Sequence, residues 1–205
     1  MYLSRIQLDV SKRATMIALQ NPSMFHGAIE RSFEPRTGRT LWRIDPLRGQ
    51  YYLMLLSEEM PKLGSVVDQF GTSEAPETRS YDSLLERIQE GTNWQFRLCA
   101  NPTYSSMEPG ARGQVRAHKT VQHQCEWLLE QSAKHGFKVE TDAFTVVNTH
   151  WFSFGKKSGN TVKLLSVTYE GRLMVTDAQL FRDTLKHGIG RAKAYGMGMM
   201  TVVKA

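Results

Sequence analysis

The sequence predicts an α+β fold, because short runs with strand periodicity alternate with segments of helical periodicity along the whole chain. Residues 2–8 alternate apolar and polar side chains, as a half-buried strand does. Residues 41–44 and 51–56 flank a turn at 46–49 and are typical of a β-hairpin. With a helical region on each side of this hairpin and a further strand at 94–98, the first half has the order β-α-β-β-α-β of a ferredoxin-like, RRM-like unit.

The main helix of the first half is indicated by its start signal and its apolar spacing. It starts at Asn21 and Pro22, because Asn favours the N-cap and Pro the first helical position. Phe25, Ile29 and Phe33 then recur every four residues, which predicts a buried stripe. The remaining elements predicted for this half are a helix at 11–19, a short helix at 62–69 and a polar loop at 71–80.

The second half repeats the same order of elements less clearly, so the sequence predicts two tandem units. Gly136 is the stop signal of a helix at 121–135, and Asp177 caps a second helix that ends near His187. The predicted strands lie at 137–147, 151–154, 162–175 (as two segments bent at residues 170–171) and 199–203. The predicted division is a first unit at 1–100, a linker at 101–113 that is rich in Pro, Gly and Ser, and a second unit at 114–205.

The bulk composition is that of a globular protein with a preference for polyanions. The chain has 205 residues, of which 40% are hydrophobic and 22% are charged, and its formal net charge is +6. A basic balance favours nucleic acid as a partner without proving it. Cys99 and Cys125 form no CxxC motif, which favours a reducing compartment. Because there is neither a signal peptide nor an apolar stretch of about 20 residues, we expect a cytoplasmic protein without a membrane segment.

The segment at 188–198 combines glycines with cations in a way that suits a phosphate ligand. Glycine lets the backbone turn tightly, and successive N–H groups in such a turn form a concave anion site. Two positive side chains in the same segment would add charge, so we expect this loop to bind an RNA backbone. The residues predicted to form this contact are Gly188, Gly190, Arg191, Lys193, Gly196 and Gly198.

His26 is the candidate for proton transfer. It lies about one turn into the predicted helix that starts at Asn21, and a histidine that titrates near neutral pH can accept or donate a proton in phosphate-ester chemistry. Arg31, Arg36 and Arg39 follow it closely and could steady a phosphate as charge builds. The alternative is an ordinary, half-exposed helical histidine. We expect no metal or other cofactor, because the spacing of the remaining His and Cys residues matches no common zinc pattern.

Two further basic groups lie in predicted loops of the second half. Lys156 and Lys157 occupy a turn flanked by glycines, and Arg112, Arg116 and Lys119 follow one another around the predicted linker. As a hypothesis, these cations contact phosphates along an RNA stem, because a thin basic loop suits the narrow major groove of an A-form helix. The alternative is that they are solvated loop residues.

Three sequence segments together resemble a known family. They are Asn21-Pro22 with His26 four residues after the proline, residues 97–102 with the sequence RLCANP, and residues 188–198 with the pattern GxGxxKAxGxG. Two further segments, WL at 127–128 before GF at 136–137 and YEGRL at 169–173, also match. The set spans the chain in the family's order, and the sequence resembles CasE, the CRISPR repeat-processing endoribonuclease of the type I-E Cascade complex.

The resemblance implies both a fold and an activity. It implies tandem ferredoxin-like domains, binding of the repeat hairpin in precursor CRISPR RNA, and metal-independent cleavage at the 3′ base of the stem. The ribose 2′-OH attacks the adjacent phosphate in that chemistry, which leaves a 2′,3′-cyclic phosphate and a 5′-OH. The enzyme, a monomer when free, then stays on its product and joins the other Cascade subunits. The family histidine corresponds to His26, as general base or acid.

One position departs from the family pattern. Some members carry a tyrosine three residues before the histidine, where this chain has Ser23. Assistance to proton transfer is therefore expected from another group, with Arg31 as the first candidate and Arg36 and Arg39 as the next. Two other functions stay open on the residues alone: an RNA-hairpin-binding module that does not cleave, and a tandem ferredoxin-like protein that binds a small anion or serves as a scaffold.

Overall fold

The structure is a computed structural model that describes residues 1–33, 38–106, 114–155 and 161–205. Its first sheet is antiparallel and has the strand order β2-β3-β1-β4. Both β1 and β2 pair antiparallel with β3, so they run parallel to each other, as the first two strands of a βαββαβ unit do. The elements of this unit are β1 (Tyr2–Leu8), α1 (Arg13–Gln20), α2 (Ser23–Glu30), β2 (Thr40–Leu47), β3 (Gln50–Ser57), α3 (Gly64–Phe70), β4 (Glu77–Ser80) and α4 (Asp82–Glu86).

The second sheet repeats this arrangement. Its strand order is β11-β5-β10-β8, and β9 pairs with the same edge of β10 as β8 does. The elements are β5 (Asn93–Ala100), β6 (Thr103–Ser106), β7 (Gln114–Ala117), α5 (Val121–Lys134), β8 (Phe137–Lys138), β9 (Phe144–Gly155), β10 (Thr161–Val175), α6 (Ala178–His187), a 3-10 helix (Lys193–Tyr195) and β11 (Met200–Lys204). The predicted α+β class with two tandem ferredoxin-like units is confirmed.

The boundary between the units differs from the predicted one. The strand predicted at 94–98 exists as β5, but it pairs with β10 and β11 and therefore opens the second sheet. The fourth strand of the first sheet is instead β4, in a segment predicted to be a loop. Its four residues are all polar and it lies at the sheet edge, so it carries no apolar alternation that periodicity could detect.

Two other segments also differ from the prediction. The strand β6 lies within the predicted linker at 101–113 and pairs with β7, which follows the linker, as a separate two-stranded sheet. Residues 107–113 lie outside the described residues. The predicted bend at residues 170–171 is absent, since β10 is a single strand whose register with β9 shifts between Thr168 and Tyr169. A bulge of this kind adds one residue to one strand and leaves the periodicity of its partner unchanged.

The cores of the two units are joined. The predicted apolar stripe is buried, with Phe25, Ile29 and Phe33 all in the core of the first unit, although α2 ends at Glu30, before Phe33. Leu41 and Leu56 belong to the first sheet, yet they pack in the core cluster of the second unit. The apolar contact between the units therefore fixes the position of β2 relative to the second sheet. Among the described residues, no helix is long and apolar enough to cross a membrane.

An ionic joint, defined here as Arg43, Asp45, Arg97 and Glu170, reinforces this contact. Arg43 is 2% exposed and donates from Nε and Nη2 to the two carboxylate oxygens of Asp45, at 2.7 Å each. Its Nη1 donates to the backbone oxygens of Arg97 and Met199, which belong to the second unit. Arg97 Nε lies 3.0 Å from Asp45 Oδ1, and Arg97 also pairs with Glu170. Arg43 Nη2 also donates to Oγ1 of Thr201, so the joint connects β2 with the strands β5, β10 and β11.

Candidate functional site

A cleft of about 410 Å³ lies where α2, the start of β2 and the glycine-rich loop meet. It combines residues of both units, because α2 and β2 come from the first sheet and the loop connects α6 with β11 in the second. Its lining residues are His26, Arg39, Thr40, Trp42, Gly190, Arg191, Ala192, Lys193 and Ala194. This site, called here the His26 cleft, brings together residues that are separated by more than 150 positions in the sequence.

His26 is held by a helix whose first turn is fixed by its own side chains. The amide oxygen of Asn21 accepts hydrogen bonds from the backbone N–H and the hydroxyl group of Ser23. The His26 side chain is 34% exposed, and its Nδ1 lies 3.5 Å from Oε1 of Glu30, one turn further along α2. This contact leaves Nε2 as the ring nitrogen that can face a substrate. Ser23 is thus engaged in starting the helix.

The glycines of the loop are required by the fold. Gly188, Gly190, Gly196 and Gly198 all have positive φ angles, which L side chains rarely adopt. A Cβ atom at Gly196 would lie 2.7 Å from Cζ3 of Trp42, which is closer than atoms can pack. The glycines therefore let the loop pack closely against the protein itself, and their predicted contact with RNA stays a prediction.

Hydrogen bonds at both ends of the loop hold this conformation. Ile189 donates its N–H to the backbone oxygen of Gly198, and Gly198 donates its N–H to the backbone oxygen of Cys99 in β5. Between these anchors, the N–H groups of residues 190–194 have no acceptor within the described part of the chain. These residues line the His26 cleft, so N–H groups without an internal partner lie in the segment that borders it.

The charge of the cleft is positive. Arg39 and Arg191 are exposed at its edge, and Lys193 lies half-buried in its wall. Burial lowers the pKa of the Lys193 ammonium, and the charge of Arg39 lowers it further. Arg39 and Lys193 are therefore close enough to repel each other, and an anion bound between them would relieve that repulsion.

The other predicted site residues are placed differently. Arg31 does not line the His26 cleft, and its Nη2 donates instead to Oε1 of Gln69 in α3 at 3.3 Å. Arg116 and Lys119 line a separate cleft in the second unit. Arg36, Arg112, Lys156 and Lys157 lie outside the described residues. The cations brought together with His26 are thus Arg39, Arg191 and Lys193.

Two residues that shape the site were not predicted: Trp42, which lines the His26 cleft, and Glu30, which contacts His26. Trp42 forms the floor on which Gly196 packs, but as one apolar residue in a predicted strand it carries no signal of this role. Glu30 was detectable in principle, because a carboxylate four residues after a helical histidine lies on the same face of the helix. Among the described residues, no group of three or more His, Cys, Asp and Glu side chains is arranged to hold a metal ion.

Comparison with known proteins defines the class to which this fold and site belong. A family model described as "CRISPR associated protein" matches residues 1–204, so the chain belongs to this family. Its glycine-rich loop and its His26 helix both lie within the matched range.

The most informative relatives are two curated proteins and one solved structure. The chain is 28% identical to the CRISPR-associated endoribonuclease Cse3 of Thermus thermophilus over 98% of this chain and 99% of that protein. It is 26% identical to the Cascade subunit CasE of Escherichia coli over 74% of this chain and 73% of that one. A structure of Thermus thermophilus Cse3, bound to an RNA representing a pre-cleavage complex, superposes with a TM-score of 0.79 at 25% identity and covers 98% of both chains. The predicted resemblance to the CasE family is confirmed.

Proposed function

We propose that this protein is an endoribonuclease that cleaves precursor CRISPR RNA at the 3′ base of the repeat hairpin and stays bound to its product as a Cascade subunit. The observation that carries the proposal is the His26 cleft, where one histidine meets a cationic wall and a row of unpaired backbone N–H groups. Its relatives are a CRISPR-associated endoribonuclease and a Cascade subunit. A phosphate placed in this cleft would lie beside a proton-transfer group.

The proposed reaction uses the nucleophile that RNA itself carries. The ribose 2′-oxygen attacks the adjacent phosphorus, so that a bond forms between O2′ and phosphorus and the bond from phosphorus to O5′ breaks. One proton leaves the 2′-OH and one proton reaches O5′, which gives a 2′,3′-cyclic phosphate and a 5′-OH without a metal ion. His26 transfers one of these protons, which typically accelerates such a step by about 10²–10⁴-fold.

Lys193 and the N–H groups of residues 190–194 stabilise the charge of the phosphate in this proposal. As the new bond forms, negative charge grows on the non-bridging oxygens, and donors already aimed at that position need no reorganisation. Because the loop is fixed by Gly188, Gly196 and Gly198, these donors are arranged before the RNA arrives. Arg39 and Lys193 therefore take the role that the sequence analysis assigned first to Arg31.

The remaining predicted contacts concern the RNA stem. Lys156 and Lys157 lie between β9 and β10 in the sequence, and in this proposal they form a basic finger that reaches a groove of the RNA. With Arg36, Arg39, Arg112, Arg116, Lys119 and Arg191, they supply the phosphate contacts of the proposal. Affinity for the hairpin is expected to fall steeply with salt, because each phosphate contact releases counterions.

A cleavage assay with a modified substrate tests the proposed chemistry. The wild-type protein is incubated in excess EDTA with its cognate repeat RNA and with the same RNA carrying a 2′-deoxy ribose at the scissile position. We expect cutting of the first RNA only, with a 2′,3′-cyclic phosphate on the upstream product. Tight binding of an intact repeat RNA would favour the non-cleaving hairpin-binding module, and absence of a hairpin preference would favour the anion-binding or scaffold function.

A further inference from the structure

A second cleft, of about 720 Å³, lies on the face of the second unit that carries α5. The β6–β7 hairpin, the start of α5 and the strands β9 and β10 surround it. Its lining residues are Tyr104, Val115, Arg116, Ala117, His118, Lys119, Thr120, His123, Trp151 and Lys163. This site is called here the aromatic cleft, and none of its residues belongs to the His26 cleft.

Exposed rings are the distinguishing feature of this cleft. The Trp151 side chain is 48% exposed and the Tyr104 side chain 44%, whereas the other tryptophans of the chain, Trp42, Trp94 and Trp127, are buried. The Tyr104 ring centroid lies 4.8 Å from that of His118. Because Trp151 and Tyr104 still expose nearly half of their surface, a cleft lined with them is suited to a planar, stackable ligand.

Cations accompany the rings. Lys163 pairs with Ser153, two residues beyond Trp151 on β9, so the Lys163 and Trp151 side chains lie on the same face of the sheet. Arg116 and Lys119 line the opposite wall, and no Asp or Glu is among the described lining residues. The ligand that matches both features carries planar groups and negative charge, as a nucleotide does.

His118, which lines the cleft beside Tyr104, supports a stacking role. Burial lowers the pKa of His118 and the neighbouring His123 lowers it further, while Glu130 and Glu126, located further along α5, act in the opposite direction with smaller effect. A pKa below the ordinary value keeps the ring neutral at pH 7. His118 therefore presents a neutral aromatic face beside Tyr104.

We propose that the aromatic cleft binds unpaired nucleotides of the RNA substrate, with bases stacked on Trp151 and Tyr104 and phosphates held by Lys119 and Lys163. The inference rests on the proposed function, which supplies an RNA ligand. Bases inside a paired stem are already stacked on one another, so only nucleotides outside the stem can enter a cleft of this kind. Since every base has a flat face that can stack on Trp151 or Tyr104, we expect little base preference.

Fluorescence provides a direct test, because Trp151 is the exposed tryptophan. The full-length protein carrying His26→Ala, which prevents cutting, is titrated with a hexauridylate RNA. We expect tryptophan fluorescence to be quenched on binding, and Trp151→Phe to abolish the quenching while labelled RNA still binds. We expect Trp151→Ala and Tyr104→Ala each to weaken binding by about tenfold. Tyr51→Ala, which removes an exposed tyrosine on β3 outside the cleft, is the matched control and should leave affinity unchanged.

The proposal is overturned if Trp151→Ala binds the single-stranded RNA as tightly as the parent protein, or if quenching persists in Trp151→Phe. A second arm compares repeat hairpins with and without single-stranded flanks, and only the flanked RNA should lose affinity in Trp151→Ala. Equal loss for both hairpins would also contradict the proposal, because the cleft would then contact the stem. If the oligonucleotide binds at Trp151 while the wild-type protein fails to cleave any repeat RNA, the proposed function fails and the single-strand site stands.

Discussion

The His26 cleft and the aromatic cleft are both positively charged, but they are built from different parts of the chain. The His26 cleft depends on backbone geometry, because the loop that supplies residues 190–194 is held by its positive-φ glycines, and the cleft is assembled from both units. The aromatic cleft consists of side chains that come from the second unit alone. The His26 cleft should therefore be sensitive to any change that shifts the loop or the joint between the units. The aromatic cleft should instead lose binding affinity in steps, as single side chains are removed.

Breaking the ionic joint is expected to separate the behaviour of the two clefts most strongly. Asp45→Ala leaves the guanidinium of Arg43, 2% exposed, without its carboxylate, and loss of one partner of a buried pair costs about 3–5 kcal/mol of unfolding free energy. Because the joint holds β2 against β5 and β11, hairpin cleavage should fall while single-stranded RNA still binds the aromatic cleft. Denaturant unfolding and both RNA assays measure these outcomes.

The matched control for the joint is Glu77→Ala. Glu77 pairs with Arg5 on the surface of the first sheet, and exposed pairs contribute only about 0–1 kcal/mol. Equal destabilisation by Asp45→Ala and Glu77→Ala would show that the joint does not fix the two units.

A smaller loss is expected from Gly196→Ala. The new Cβ would lie 2.7 Å from Cζ3 of Trp42 and the residue would keep a positive φ, so overpacking adds about 1–3 kcal/mol to a backbone strain of about 1–2 kcal/mol. The loop must shift, and cleavage should fall with it. Gly49→Ala is the control, since Gly49 has the same positive φ but no atom within 4 Å of its added Cβ. If both variants cleave equally well, the packing of Gly196 against Trp42 is irrelevant to activity.

The smallest effect concerns the charge of Lys193. Its pKa is lowered, mainly by burial and secondly by Arg39, so the ammonium loses its proton at lower pH than an exposed lysine and hairpin affinity should weaken earlier as pH rises. Arg39→Ala removes the charge that lowers the pKa of Lys193 secondarily, so the loss of affinity should move to higher pH. The same variant also loses one phosphate contact. Lys193→Gln should lower the cleavage rate about tenfold and remove the early part of the loss of affinity at rising pH, as measured by binding between pH 7 and pH 10. An unchanged pH profile in Lys193→Gln would contradict the assigned role.

Periodicity predicted most of the fold, and it failed where pairing is decided by tertiary contacts. The strand at 94–98 was predicted from its alternation, yet the sequence contains no signal for which sheet it joins. The edge strand β4 was missed because Glu77–Ser80 exposes polar side chains on both faces. The hairpin between β2 and β3 was easier, since Arg48 and Gly49 both have positive φ angles in a two-residue turn that the Gly signals.

For the candidate site, the sequence indicated the residue types better than their roles. His26 and Lys193 were singled out, and the structure brings them into one cleft. Nothing in the sequence indicated that Gly196 and Gly190 pack against Trp42 and Trp127, because these residues are far away in sequence. The aromatic cleft could not be predicted at all, because Tyr104 and Trp151 become neighbours only when the β6–β7 hairpin folds onto the second sheet.

The central claim is that His26 transfers a proton at a phosphate held by the loop of the second unit. The most direct test is the single-turnover cleavage rate of His26→Ala, measured together with its affinity for the uncut repeat hairpin. We expect the rate to fall by about 10²–10⁴-fold with the affinity changed less than about twofold, because proton transfer is lost and phosphate contacts remain. An unchanged rate, or a rate that falls only in proportion to affinity, would contradict the claim.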